Sequence, residues 1–309
     1  MSDPRYAQIA VLTALATWGA LVLDFGLEWE RIVLILGTAL TVQAFGNATR
    51  GEAFEPRSAL ISGLSLVLLL RTADPMLGAA AAVIAVGSKF LIRARGRHVF
   101  NPTNLALVSL LLLSDAVWVS SGQWGSGAVA VAACVAAALW VLPNVRGDVT
   151  IAFMAFWCAL LFGRALWLGD PLSIPLHQLS SGTLFVFAAF MLSDPRTIPN
   201  ARHGRILFAG LVALAGYVGR FEFYEPNALL YSLAGAALFV PIIDRFLPGQ
   251  EFRWKRSADV RDVSEQRKGN DHELQPIRTR EESRGRAAAT RRIADRAVIR
   301  RAPVLARPR

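Results

Sequence analysis

Apolar runs of twelve to twenty residues, separated by short stretches rich in Arg, Asp, Gly and Pro, follow one another over the first 248 residues. Runs of that length match the hydrocarbon thickness of a bilayer better than the periodic faces of water-soluble helices or strands. The pattern predicts ten spans, at residues 8–23, 32–45, 59–70, 76–92, 104–119, 127–142, 150–168, 181–192, 206–218 and 227–246. Those near a dozen residues suit re-entrant or broken helices equally well. The first run does not read as a signal peptide, because acidic Asp3 precedes it and no small-residue cleavage site is followed by a soluble domain.

Composition agrees with this pattern. Hydrophobic residues make up 54% of the 309 positions, charged residues 18%, and mean hydropathy is +0.40. The expected class is an all-α integral membrane protein. Loop arginines set its orientation: with the N-terminus in the cytoplasm, Arg5, Arg50, Arg57, Lys89, Arg93, Arg95, Arg97, Arg146, Arg196, Arg202 and Arg205 share one side, against Arg31, Arg71, Arg164 and Arg220 on the other. Both termini are then expected in the cytoplasm of a multi-pass protein of the cell inner (plasma) membrane.

Past Pro248 the composition changes to a basic tail, residues 249–309, whose seventeen basic and nine acidic residues supply +8 of the formal net charge of +10. The tail reads as a disordered, solvated cytoplasmic segment near anionic lipid. Nucleic-acid binding is the alternative, but past Trp254 no aromatic residues interleave the arginines to stack on bases, so no nucleic-acid partner is expected.

Within residues 1–248 the order of marks repeats. "SGLSLVLLLRTADP" at 62–75 is matched by "SGTLFVFAAFMLSDP" at 181–195, and "GRHVFNPTN" at 96–104 by "GRFEFYEPN" at 219–227. The marks fall on the third to fifth spans of one half and the eighth to tenth of the other. Five spans per half is an odd number, so the copies, about 1–122 and 123–248, are expected to be inverted, as in transporters built around interrupted helices.

Chemistry-bearing residues are sparse. Cys134 and Cys158 sit in apolar runs, and His98, His177, His203 and His272 show no metal-ligand spacing, so no metal site is expected. Serine-hydrolase and nucleotide-binding motifs are absent from the sequence. Two polar boxes at span ends remain: Asn101, Pro102, Thr103 and Asn104, and the stretch 193–205 with Asp194, Pro195, Thr197 and Arg205. Helix-start amides hold anionic or carbonyl-rich groups and arginine pairs with phosphate, so both boxes are candidate ligand sites. Equally, Asp-Pro and Asn-Pro cap helices and the arginines obey the topology rule. Buried Thr103 and Asn104 are expected to find partners in the opposite repeat, in water or in a ligand across a cytoplasm-facing cavity shared with 194–197.

The stretches "GRHVFNPTNLALV", "SDPRTIPNARHGRILFAG" and "FEFYEPNALLYSLAGAALFVPIID" resemble the NqrB/RnfD family, membrane subunits of the sodium-pumping NADH:quinone reductase and of the Rnf complex. The resemblance implies ten helices in two inverted five-helix repeats, and a flavin-carrying subunit that moves electrons across the bilayer coupled to ion translocation. It also implies other membrane or membrane-associated redox subunits as partners. Members of the family attach FMN to a threonine after the Asn-Pro helix, whereas the corresponding loop here, "SSGQWGSGAVAV" at 120–131, has no threonine. The expected cofactor is therefore flavin, as FMN or riboflavin, held without a covalent bond at Asn101, Pro102, Thr103, Asn104, Asp194, Pro195, Thr197 and Arg205. The alternative is a non-redox permease or channel on the same scaffold.

Overall fold

The computed structural model describes residues 4–94, 96–119 and 146–250. The chain forms helices α1 (Pro4–Leu21), α2 (Trp29–Ala48) and α3 (Arg57–Leu69), then strand β1 (Leu70–Thr72) and α4 (Pro75–Leu91). A two-residue hairpin of β2 (Arg93–Ala94) and β3 (Arg97–His98) leads into α5 (Pro102–Leu113) and β4 (Val117–Val119). After the undescribed stretch come α6 (Gly147–Leu168), α7 (Ser173–Leu179) and α8 (Gly182–Val186), the last continuing into a π-helical turn (Phe187–Met191). α9 (Arg202–Phe221), α10 (Ala228–Ala237) and α11 (Val240–Phe246) complete the order.

Among the described residues α2, α6 and α9 are long and apolar enough to cross a membrane. Two further candidates are broken: α7 with α8 and its π turn is bent by 54°, and α10 with α11 by 51°. Three shorter apolar helices, α3, α4 and α5, stand beside them. The expected spans at 32–45, 150–168 and 206–218 therefore fall on α2, α6 and α9, and that at 227–246 on the bent pair. The span expected at 127–142, the loop 120–131 and the tail lie outside the described residues.

One expectation needs correcting. The run 104–119 is helical only to Leu113: Ser114 is extended, its Oγ accepts from the Ala116 N–H at 3.2 Å, and Val117–Val119 pairs antiparallel with Leu70–Thr72, Arg71 opposite Trp118. Apolar content alone does not distinguish a helix from a strand, and β-branched Thr72, Val117 and Val119 favour the latter.

α2 packs on α4 and α6 on α9, α4 on α5 and α9 on α10, while α5 meets α10. Phe153 stacks on Trp157 of α6 with ring centres 6.0 Å apart and tilts against Phe187 of the π turn at 5.5 Å. Outward the surface is apolar; Trp167, at the end of α6, is 88% exposed and Leu91 84%. Such residues are at ease against lipid and would be a liability in water.

Broken helices leave backbone carbonyls without intrahelical partners, and in hydrocarbon each must be satisfied by protein. At the end of α3, Arg71 folds back: Nη1 donates to the carbonyls of Val67 (3.0 Å) and Leu70 (2.9 Å), and Nη2 to that of Leu68 (3.2 Å). At the π turn, hydroxyls and an amide do the same work. Thr150 Oγ1 donates to the Ala188 carbonyl at 2.8 Å, Ser193 Oγ to that of Ala189, and Asn101 Nδ2 to that of Met191 at 3.3 Å.

Glycine enables a close contact between α9 and α10. A Cβ at Gly219 of α9 would lie 2.8 Å from the Ala228 Cβ of α10, which cannot swing away, whereas one at Gly163 of α6 meets nothing within 4 Å. Gly219→Ala is expected to force the helices apart and lower the melting temperature in detergent, at a cost of about 1 to 3 kcal/mol. Gly163→Ala should raise it slightly through helix propensity, by about 0.5 to 1 kcal/mol. Equal responses of the two variants would show that α9 and α10 do not approach in this way.

Candidate functional site

The box at residues 101–104 begins α5. Asn101 is its N-cap, with Oδ1 accepting from the Asn104 N–H at 3.0 Å, and Pro102 fills the first helical position, where an N–H would go unpaired. The capping role accounts for only one side of Asn101. Its Nδ2 donates to the Met191 carbonyl and stands 3.5 Å from Asp194 Oδ2, so the box reaches the other half of the chain. Thr103 Oγ1 donates to the Ser62 carbonyl at 3.4 Å, within its own half. Asn104, 1% exposed, donates from Nδ2 to the Leu230 carbonyl in the first turn of α10 at 3.1 Å. Its Oδ1 is buried without a partner among the described residues.

Both Asp-Pro marks use one local device. Asp74 Oδ1 accepts from the Met76 N–H at 2.8 Å, and Asp194 Oδ1 from the Arg196 N–H at 3.1 Å. Asp74 starts α4 directly, whereas Asp194 opens a turn that delays α9 to Arg202. Within that turn the Asp194 carbonyl accepts from the Thr197 N–H at 3.1 Å and from its Oγ1 at 3.2 Å. Burial chiefly pushes the Asp194 carboxyl above the usual carboxylate range, against the Arg196 N–H bond and the cations Arg196, Lys89 and Arg97, which act to lower it.

Three arginines from three elements hold four further carbonyls of this turn. Arg97 donates from Nε to the Arg196 carbonyl (3.0 Å) and from Nη2 to that of Ile198 (2.7 Å). Arg146, at the start of α6, donates to the Pro199 carbonyl at 2.9 Å, and Arg205 to that of Asn200 at 2.6 Å. Arg205 is also committed to Asp148, with Nε 2.9 and 2.8 Å from the two carboxylate oxygens and Nη2 2.5 Å from Oδ2. Its guanidinium thus serves the turn and an ion pair, and little of it is left for a ligand. Arg97 Nη1 reaches Asn200 Oδ1 at 3.0 Å and Asp244 Oδ2 of α11 at 3.4 Å, while Asp244 accepts from the Asn200 backbone (2.7 Å) and side chain (3.0 Å).

Beside this clamp lies a cavity of about 150 Å³, lined by the β2–β3 hairpin, the Arg196–Asn200 stretch and the α10–α11 bend. Of the expected site residues Thr197 borders it, and Asn101, Pro102, Thr103, Asn104, Asp194, Pro195 and Arg205 do not. The box is instead packed in protein: Asn101, Pro102, Thr103, Asn104 and Pro195 are buried. The residues that build the clamp, Arg97, Arg146, Asp148 and Asp244, escaped sequence reading because their partners lie 44 to 147 positions away. His98 borders the cavity with its Nδ1 buried and unpartnered. Burial, with the cations Arg196, Lys89, Arg93 and Arg97 around it, pushes the imidazole down to about 3. Among the described residues no group of three His, Cys, Asp or Glu could hold a metal.

Comparison with known proteins bears out the resemblance. A model of the NQR2, RnfD, RnfE family matches residues 113–253, a little under half of the chain, and that stretch contains the 194–200 turn, Arg146, Asp148, Arg205 and Asp244. The D subunit of the ion-translocating oxidoreductase complex of Shewanella piezotolerans is 33% identical over 117 residues, covering 37% of this chain and 33% of that protein. Its namesake in Haemophilus ducreyi is 34% identical over 71 residues, 23% and 20% of the two chains. That of Escherichia coli O1:K1 is 28% identical over 116 residues, 37% and 33% of the two. The matched stretch thus spans a third or less of the length of these relatives.

A neutral buried imidazole makes stability depend on pH in a defined direction. The unfolded chain takes up a proton near pH 6.5, the folded chain only near 3, so the contribution is complete above about 6.5 and is lost as pH falls below it. His98 is half-buried, and screening reduces the effect to about 1 kcal/mol at pH 5. In detergent the melting temperature should fall between pH 7 and pH 5, and His98→Gln should narrow that difference. An unchanged difference would assign the acid sensitivity to other groups.

Proposed function

We propose that this chain is a membrane subunit of an electron-transport complex of the NqrB/RnfD type, passing electrons through a flavin bound without a covalent link and coupling that passage to ion translocation. Other membrane or membrane-associated redox subunits would deliver and receive the electrons. The family match and the likeness to D subunits of ion-translocating oxidoreductase complexes support the complex. The observation that carries the site is Asn104 Oδ1, a buried acceptor without a partner where the first turns of α5 and α10 meet. An acceptor left dry costs roughly 1 to 3 kcal/mol, and the imide N–H of an isoalloxazine ring offers the missing donor. When bound, flavin would supply one- and two-electron chemistry.

In this reading the first turns of α5 and α10 part so that Asn104 accepts from the ring edge, and Asn101 and Thr103 fix the box that presents it. Pro102 and Pro195 shape the two chain reversals, Asp194 and Thr197 close the facing turn, and Arg205 holds that turn through Asp148. Absorbance of the purified full-length protein tests the proposal directly. Visible flavin bands are expected in the wild type and their loss in Asn104→Leu, with membrane-inserted protein undiminished. A wild type without flavin would overturn the redox reading and leave a permease or channel on the same scaffold.

The architecture proposed with this function is ten spans in two inverted halves with both termini in the cytoplasm. The matching relations α2 to α4 and α6 to α9, and α4 to α5 and α9 to α10, support the repeat. The arginines that gather on the turn at 194–200 support a cytoplasmic placement of that end. A C-terminal reporter active only in the cytoplasm is expected, and activity on the outer side would sink the topology.

A further inference from the structure

We propose that the cavity between the β2–β3 hairpin, the Arg196–Asn200 stretch and the α10–α11 bend is a binding site for a phosphate group. The argument is an inventory of donors. Arg196 is exposed at the cavity's edge, and its guanidinium makes no hydrogen bond or ion pair among the described residues, so all five N–H groups are available. Arg97 spends four of its five on the carbonyls of Arg196 and Ile198, on Asn200 and on Asp244, and keeps one. Asn200 uses one N–H of its side-chain amide on Asp244 and keeps the other.

The one carboxylate in the lining, Asp244, is already neutralised by Arg97 and by two donors of Asn200. Residues with surplus donors and surplus positive charge therefore line one small cavity, and they suit an acceptor-only anion. A volume of about 150 Å³ admits a tetrahedral oxyanion, being that of about five water molecules. It lies well below the roughly 300 Å³ at which sites for larger ligands begin, so a three-ring system does not fit. The cations around His98 that disfavour its protonated form are the same ones an oxyanion would offset.

The phosphate could belong to a soluble phosphoester or to an anionic lipid headgroup, and the two are separable with full-length protein in neutral detergent. In one arm FMN and riboflavin are titrated by fluorescence, with inorganic phosphate as competitor. In the other, retention of phosphatidylglycerol against a diacylglycerol of the same chains is followed by native mass spectrometry. Arg196→Gln, which breaks no hydrogen bond within the described protein, is run through both arms. A soluble source predicts FMN bound about tenfold tighter than riboflavin, displaced by phosphate, and weakened about tenfold in the variant. A lipid source predicts phosphatidylglycerol retained by the wild type and lost by the variant. No phosphate preference in either arm, or binding unaffected by Arg196→Gln, overturns the proposal. The site stands apart from the flavin reading: equal binding of FMN and riboflavin with no retention of phosphatidylglycerol would remove the phosphate site and keep the flavin, and lipid retention without flavin would do the reverse.

Discussion

The guanidinium of Arg97 is the contact on which the organisation of this end of the protein depends. Four of its N–H groups are spent across sequence separations of about a hundred residues or more, on two backbone carbonyls of the 194–200 turn, on Asn200 and on the carboxylate of α11. Without it the β2–β3 hairpin, the turn and the end of α11 would each present bare polar groups to one another. Arginine suits this position because its planar fork addresses several acceptors at once, which a lysine ammonium does not.

A common problem underlies the other polar contacts. Interrupting a helix at membrane depth releases carbonyls that water cannot reach, and the protein meets each release differently. α3 is finished by the buried guanidinium of Arg71, the π turn by Thr150, Ser193 and Asn101, and the Asp194 turn by three arginines. Against this accounting Asn104 Oδ1, like Gln43 Oε1 on α2, is an acceptor left without a donor among the described residues. The carboxamide is otherwise engaged at Leu230, so it cannot turn away to find one.

Local chemistry was legible in the sequence and distant pairing was not. Asn101 as a cap, Pro102 at the first helical position and the Asp-Pro hydrogen bonds at Asp74 and Asp194 all involve residues two or three positions apart. The apolar runs located α2, α6 and α9, whose length and composition leave little choice. The strand pair β1–β4 was missed because a short apolar run reads alike as helix or strand until its partner is known. Arg205 was singled out as an anion ligand on charge alone; only its distance to Asp148, 57 positions away, shows where that charge is spent. Arg97, Arg146 and Arg205, counted as topology signals, proved to be structural hydrogen-bond donors as well, two roles that one position satisfies together.

The bend between α10 and α11 acquires a mechanical meaning from what sits at its two ends. Near its start, the Leu230 carbonyl receives Asn104; near its finish, Asp244 receives Arg97 and Asn200. The 51° bend lies between Ala237 and Val240, so the grip on Asn104 and the grip on Arg97 and Asn200 are fixed points on either side of one short, angled piece of chain.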